Sequence, residues 1–294
     1  MLVLVLLLLM TPTLADGPEG IAPAKSWFGL GSVPYLDPLE TAEALASIKE
    51  AMEFVLKSRV RFHTSFDTDG FSQKVEMARD DFILIYPTQY QLAIDSGYLP
   101  LARLETPLRA FVVVPVSSPL RSLNDLRDKL LLVPGYGSPV GELTKQAVEA
   151  VGLRWNRDVI TRSLRNDGVC LLEMLRGLSD ACAAFQAPNK VIQQRLGIKL
   201  RSLGQSRALP PLLFAGHRRV SKEDRDKVRK LLISLSKTDS GRFRLRKSGL
   251  GPLVAIGPDD YPTAASLPAA TDSLPDKLPA APVATPALPA NDSP

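Results

Sequence analysis

The chain has 294 residues, 45% hydrophobic and 23% charged, an ordinary globular composition with length for one large domain or two lobes. Lys and Arg outnumber Asp and Glu by 36 to 31, but the surplus is spread along the chain and gives nucleic-acid binding little support. The densest basic stretch, Arg242, Arg244, Arg246 and Lys247, has an odd-even spacing that predicts one solvated side of a strand or turn.

Met1 to Met10 is an unbroken apolar run followed by Thr13 and Ala15, the small residues a signal peptidase reads, so a signal peptide over 1–15 with cleavage near Ala15 is expected. The run is too short for the roughly 20 apolar residues that a hydrocarbon layer requires. It also lacks the usual preceding Lys or Arg, and no lipoprotein cysteine follows it. Residues 16–26 read as a linker. Cys170 and Cys182 are the only cysteines, and in an oxidising compartment they are either a disulfide or two buried thiols.

Strand and helix then alternate. Trp27 to Val33 reads as a strand ended by Pro34-Tyr35. Asp37 caps a helix over 38–57, with Pro38 at its first position and Leu45, Ile48, Met52 and Val55 on one face. A second strand runs from Arg59 to Ser65. Phe82 to Tyr86 is apolar on both faces, as in a parallel strand covered by helices on each side. Further strands are predicted at 111–116, 130–133, 159–163 and 181–185, with helices at 138–151, 169–178, 190–196 and 222–235. This is the pattern of open parallel or mixed sheets flanked by helices, and two such sheets fit the length. From Pro258 onward nine of the chain's 25 prolines mix with Ala, Ser and Asp, so 263–294 is expected to be a Pro/Ala-rich disordered tail.

Ligands of such sheets bind where strands end and helices begin. Three places qualify: Pro34-Tyr35, the segment Tyr86 to Tyr90 with Gln89, and the turn from Pro134 to Gly141. In the last, Gly137, Ser138, Pro139 and Val140 lead into a helix N-terminus, where unpaired N–H groups favour an oxyanion. A simple helix cap explains that turn equally well, and the tyrosines serve equally well as core aromatics with a polar tip. Catalysis has little footing. His63 and His217 are the only histidines and lack ligand spacing, so no metal or cofactor is expected. No nucleophile elbow or phosphate loop occurs. Asp80-Asp81 and Asp259-Asp260 read as loop charges.

Phe28 to Tyr35, the helix after it, and the Asp-Phe-Ile-Leu-Ile-Tyr-Pro strand leading to Tyr90 together resemble the opening of phosphate/phosphonate-type ABC transporter substrate-binding proteins. Glu173 to Phe185, with its Leu-Arg-Gly-Leu-Ser-Asp-Ala turn, Leu209-Pro210-Pro211, the 222–235 helix and Asp260-Tyr261 are similar to later landmarks of that family. The resemblance implies a two-lobed α/β fold, the type II periplasmic-binding architecture, each lobe a mixed sheet flanked by helices. Lobe 1 would comprise 27–110 and 206–262, lobe 2 111–205, with the ligand between them. It implies an exported, periplasmic and monomeric solute-binding protein, not an enzyme, that delivers a small polar or oxyanionic ligand to an ABC permease. A sensor or accessory protein of the same fold is the alternative, favoured slightly by the tail. The family's aromatic contacts fall on Tyr35 and Tyr90, with Tyr86 and Gln89 beside them. Its Ser-Thr-Ser-Gly anion loop aligns with Ser138 to Gly141, where two of three hydroxyls are gone, and its histidine position falls on Asn166, beside Asp167. Gln186 completes the expected ligand set. With those hydroxyls lost, a phosphonate is a less obvious ligand than the family alone implies.

Overall fold

The computed structural model describes residues 26–135, 138–257 and 259–261. The expected signal peptide, all of the linker except Ser26, Gly137 and the Pro/Ala-rich tail lie outside the described residues.

The opening strand β1 (Trp27–Ser32) runs parallel to β2 (Arg59–His63) and to β3 (Phe82–Ile85), with helices α1 (Pro38–Leu56) and α2 (Thr68–Glu76) in the connections. The Asp37 carboxylate accepts the Leu39 N–H at 3.1 Å and Pro38 sets the first turn of α1, whose Leu45, Ile48, Met52 and Leu56 are buried. Every residue of β3 is buried, which its position between β1 and an antiparallel neighbour demands. After α3 (Tyr90–Asp95) and β4 (Tyr98–Leu104) the chain crosses to a second sheet.

That second sheet is built from β5 (Ala110–Pro115), β6 (Leu130–Pro134), β7 (Ile160–Leu164), β8 (Ala181–Phe185) and β9 (Leu200–Gln205), in the order β7-β6-β8-β5-β9. Its helices are α4 (Val140–Glu149), α5 (Asp167–Leu175) and α6 (Gln186–Leu196). The chain then returns as β10 (Leu213–His217), α7 (Lys222–Leu235), α8 (Asp239–Lys247) and β11 (Leu253–Val254), closing the first sheet in the order β11-β4-β10-β3-β1-β2. The two crossing segments are joined by reciprocal backbone bonds between Leu108 and Leu209, at 3.0 and 2.8 Å. Both sheets are mixed, and each carries helices. Cys170 on α5 and Cys182 on β8 form a disulfide.

Two expectations are overturned. Arg242 to Lys247 belong to a helix, α8: the Thr238 hydroxyl caps it by accepting the Gly241 N–H at 3.1 Å, and its basic residues fall in the last turn, where they complement the helix dipole. Asp80 and Asp81 are not solvated loop charges. They enter β3 with 2% and 1% exposure, because Gly29 and Gly31 on β1 leave the Asp80 side chain space that a Cβ would fill, at 2.7 and 2.6 Å. Asp80 pairs with His63 Nδ1 at 2.5 Å, and Asp81 pairs with Arg219 Nε at 2.9 Å while accepting the Gly29 N–H at 2.8 Å. Elements 68–76, 90–95, 98–104, 200–205 and 213–217 have no counterpart in the sequence reading.

Candidate functional site

The three parallel strands of the second sheet, β7, β6 and β8, lie side by side, and each feeds a helix N-terminus at its carboxyl end. Asn166-Asp167 follows β7, Ser138-Pro139-Val140 follows β6, and Gln186 opens α6 directly after β8. Across from them stand the carboxyl ends of β1 and β3, carrying Tyr35 and Tyr86. Both sets of strand ends meet between the lobes: the Tyr86 and Phe185 ring centroids are 5.2 Å apart, and a Cβ on Gly168 would stand 3.2 Å from the Leu36 Cα. The Arg195–Glu40 ion pair and the looser Arg165–Asp37 pair at 3.8 Å also join lobe to lobe. Gly249, at φ +73°, lets α6 approach so closely that a Cβ there would meet the Ala187 carbonyl at 2.5 Å.

The anticipated residues divide by environment. Tyr35 and Tyr86 are 1% exposed, and burial pushes both hydroxyls well above the usual tyrosine range. The Tyr35 hydroxyl donates to the Ser248 carbonyl at 3.3 Å. Gln89 spends its amide within lobe 1, donating to the Ser72 hydroxyl at 2.8 Å and accepting the Tyr86 N–H at 3.2 Å. Tyr90 opens α3 and stacks on Tyr261, with centroids 4.8 Å apart and planes 13° off parallel. Gln186 is exposed.

In lobe 2, Ser138 is buried and its hydroxyl accepts the Val140 N–H at 3.4 Å, and α4 begins two residues later than the predicted 138–151 helix. Asn166 caps α5, its Oδ1 accepting the Val169 N–H at 2.9 Å, while its buried Nδ2 has no hydrogen-bond partner. Asp167 accepts the Phe185 N–H at 2.7 Å. Burial pushes its carboxyl up to about 7 against the lowering effect of that bond.

A small cavity opens beside this meeting point. Tyr35, Tyr86 and Phe185 form one side, and Leu104, Leu108, Leu212 and Pro188 much of the rest. Arg109 lines it from the first crossing segment, its Nη1 donating to the Ser206 carbonyl at 2.8 Å. Of the anticipated residues, Tyr35, Tyr86 and Gln186 line this cavity; Gln89, Tyr90, Ser138, Asn166 and Asp167 do not. Sequence reading missed Arg109, Phe185 and the leucines. A single arginine ahead of an apolar strand carries no signal, and the apolar residues become a wall only when two crossing segments pair.

Among the described residues no group of His, Cys, Asp and Glu could hold a metal ion, and no helix is long and apolar enough to cross a membrane.

The architecture is that of the type II periplasmic binding proteins. A binding-protein component of an ABC phosphonate transporter from Pseudomonas aeruginosa superposes with a TM-score of 0.67 at 13% identity, covering 80% of this chain and 83% of that one. PhnD1 of Prochlorococcus marinus in complex with methylphosphonate gives 0.66 at 11% identity, over 82% and 97%. The alkanesulfonate-binding protein SsuA of Xanthomonas axonopodis pv. citri bound to MOPS gives 0.53 at 18% identity, over 78% of each chain. No curated protein sequence matches. A family model for the periplasmic substrate-binding protein of phosphonate ABC transporters matches residues 30–261, and the chain belongs to that family.

Proposed function

We propose that this protein is exported, with its signal peptide cleaved near Ala15, and works in the periplasm as a monomer. It captures a small oxyanionic solute between its lobes and hands it to an ABC permease, with no reaction of its own. The observation that carries the reading is the row of three helix N-termini at the ends of β7, β6 and β8, opposite Tyr35 and Tyr86. Such termini each present the equivalent of about half a positive charge and unpaired N–H groups, so an anion is held without a lysine. The Ser138 hydroxyl and the unpartnered Asn166 Nδ2 add donors at two of the three. Solved relatives in the same architecture hold methylphosphonate and a sulfonate, both oxyanions.

The test is a thermal-shift screen of the mature protein against phosphate, phosphite, alkylphosphonates, alkylsulfonates, simple amines and neutral solutes. A raised melting temperature with one oxyanion class is the expected result. A rise with amines or neutral solutes alone would overturn the oxyanion reading.

A further inference from the structure

The basic run of α8 has no part in the site between the lobes. Gly241, Leu245 and Ser248 recur at helical spacing and are buried, which turns Arg242, Phe243, Arg246 and Lys247 together to the opposite side, all of them exposed. Phe243 lies in the middle of that side, with Arg242 and Arg246 along one flank and Lys247 one turn beyond it. Its ring is 59% exposed, a large apolar group held in water among cations. Arg242 pairs with Asp239 at 2.6 Å, whereas the Arg246 and Lys247 side chains have no ion-pair partner among the described residues. The helix is fixed to its neighbours: Arg244 Nη1 donates to the Ser47 carbonyl of α1 at 2.8 Å and faces Glu50 at 3.7 Å. One turn after Glu50 stands Phe54, 85% exposed, so the layer that α1, α7 and α8 form by packing together presents two outward rings.

We propose that this outer face of the first lobe docks on an anionic phospholipid bilayer, with Phe243 and Phe54 entering the boundary between headgroups and acyl chains and Arg242, Arg246 and Lys247 meeting the lipid phosphates. Basic side chains around an exposed aromatic ring are the combination that suits such a boundary. The helix is already folded and anchored, so docking orders little that is not ordered beforehand. An outward-facing helix side without a groove or a free strand edge offers an acidic peptide no enclosure, whereas a fluid bilayer conforms to it. Two rings and three or four cations give weak, reversible attachment. For the exported carrier proposed above, that contact would hold it near the membrane whichever solute it carries.

The experiment is co-sedimentation of the mature protein, of Phe243→Ser and of the double variant Arg246→Glu, Lys247→Glu with vesicles of phosphatidylcholine alone or mixed with phosphatidylglycerol. Thermal melting of each protein checks its folding. The wild type should bind the phosphatidylglycerol vesicles at least about tenfold more tightly than phosphatidylcholine, and raising the salt to about 0.5 M should remove most of that difference. The double variant should lose about tenfold or more of the affinity, and Phe243→Ser about fivefold. The headgroup and salt comparisons use the wild type alone, so they decide the matter even where a variant melts early. Equal binding to both vesicles, binding to neither, or folded variants that bind as the wild type does would overturn the proposal. Retention on immobilised polyglutamate without any vesicle binding would overturn it in favour of an acidic protein partner.

Discussion

The Cα of Leu36 in the first lobe stands 3.2 Å from the point a Cβ on Gly168 of the second lobe would occupy, with the Leu36 Cδ2 at 3.3 Å. The Leu36 Cα is backbone and cannot yield by turning a side chain. Gly168→Val should hold the lobes apart, because overpacking such a contact costs about 1–3 kcal/mol. The lobe's own stability should hardly fall, since valine replaces a glycine inside helix α5. Small-angle scattering should report a larger radius of gyration, and calorimetry a weaker affinity for whichever oxyanion binds. An unchanged radius would show that the contact does not limit closure.

Asp167 gives a pH dependence of definite sign. Its carboxyl titrates near 7 in the folded protein because it is buried, against an ordinary value of 3.8. Below pH 4 both states are protonated and the burial has no ionic cost. Between 4 and 7 the unfolded chain releases the proton while the folded protein keeps it, so stability falls as pH rises, levelling off above 7. Asp167→Asn retains an oxygen for the Phe185 N–H and removes the titration. Urea midpoints of the two proteins should diverge from pH 4.5 to pH 8 in favour of the variant, by on the order of 2–4 kcal/mol. A pH-independent difference would refute the assignment.

Cys170 and Cys182 close a loop with a sequence separation of 12, and both are completely buried. A loop of that length contributes about 2–3 kcal/mol by restricting the unfolded chain. The Cys170→Ala, Cys182→Ala double variant should melt correspondingly lower. Reductant should have little effect on the native wild type, since no sulfur surface is accessible, and should act once urea opens the second lobe. Rapid native-state reduction, followed by alkylation and mass spectrometry, would contradict this.

The sequence exposed the elements whose signal is local. α7 is read to the residue, because Ser221 caps it and Val228, Leu232 and Leu235 repeat at helical spacing. β3 is readable as a two-faced strand from Phe82-Ile83-Leu84-Ile85 alone. What stayed hidden depends on the partner. β4 contains Pro100 and β10 contains Gly216, and they become strands by pairing with each other across more than a hundred residues. Asp80 and Asp81 looked solvated because the glycines that shelter them lie on another strand and the arginine that neutralises Asp81 follows β10. The site divides the same way: strand-end turns are local features, whereas the cavity wall draws on six separated stretches of chain, from Tyr35 to Gly251.

The Asp81–Arg219 pair supplies the last prediction. Asp81 is 1% exposed while the Arg219 side chain is 37% exposed, so the pair spans the surface of the first lobe. Arg219 also donates from Nη2 to the Asp80 carbonyl and from Nη1 to the Ala78 carbonyl, each at 2.5 Å, tying the turn before β3 to the end of β10. Arg219→Ala therefore takes the cation from a buried carboxylate and the donor from the Ala78 carbonyl, while the Asp80 carbonyl keeps the Tyr98 hydroxyl at 2.8 Å. Full burial of both partners would make that loss about 3–5 kcal/mol; with the arginine partly in water, about 2–3 kcal/mol is expected from urea unfolding. Arg219→Lys keeps the charge but not the planar fork, and should recover only part of the loss. Lys227→Ala, which removes exposed helix pairs with Glu223 and Asp224, should leave the midpoint unmoved. If Arg219→Ala behaved like Lys227→Ala, the Asp81 carboxylate would have to draw its support from the Gly29 N–H and its other neighbours, and the pair would not be a fastening of the first lobe.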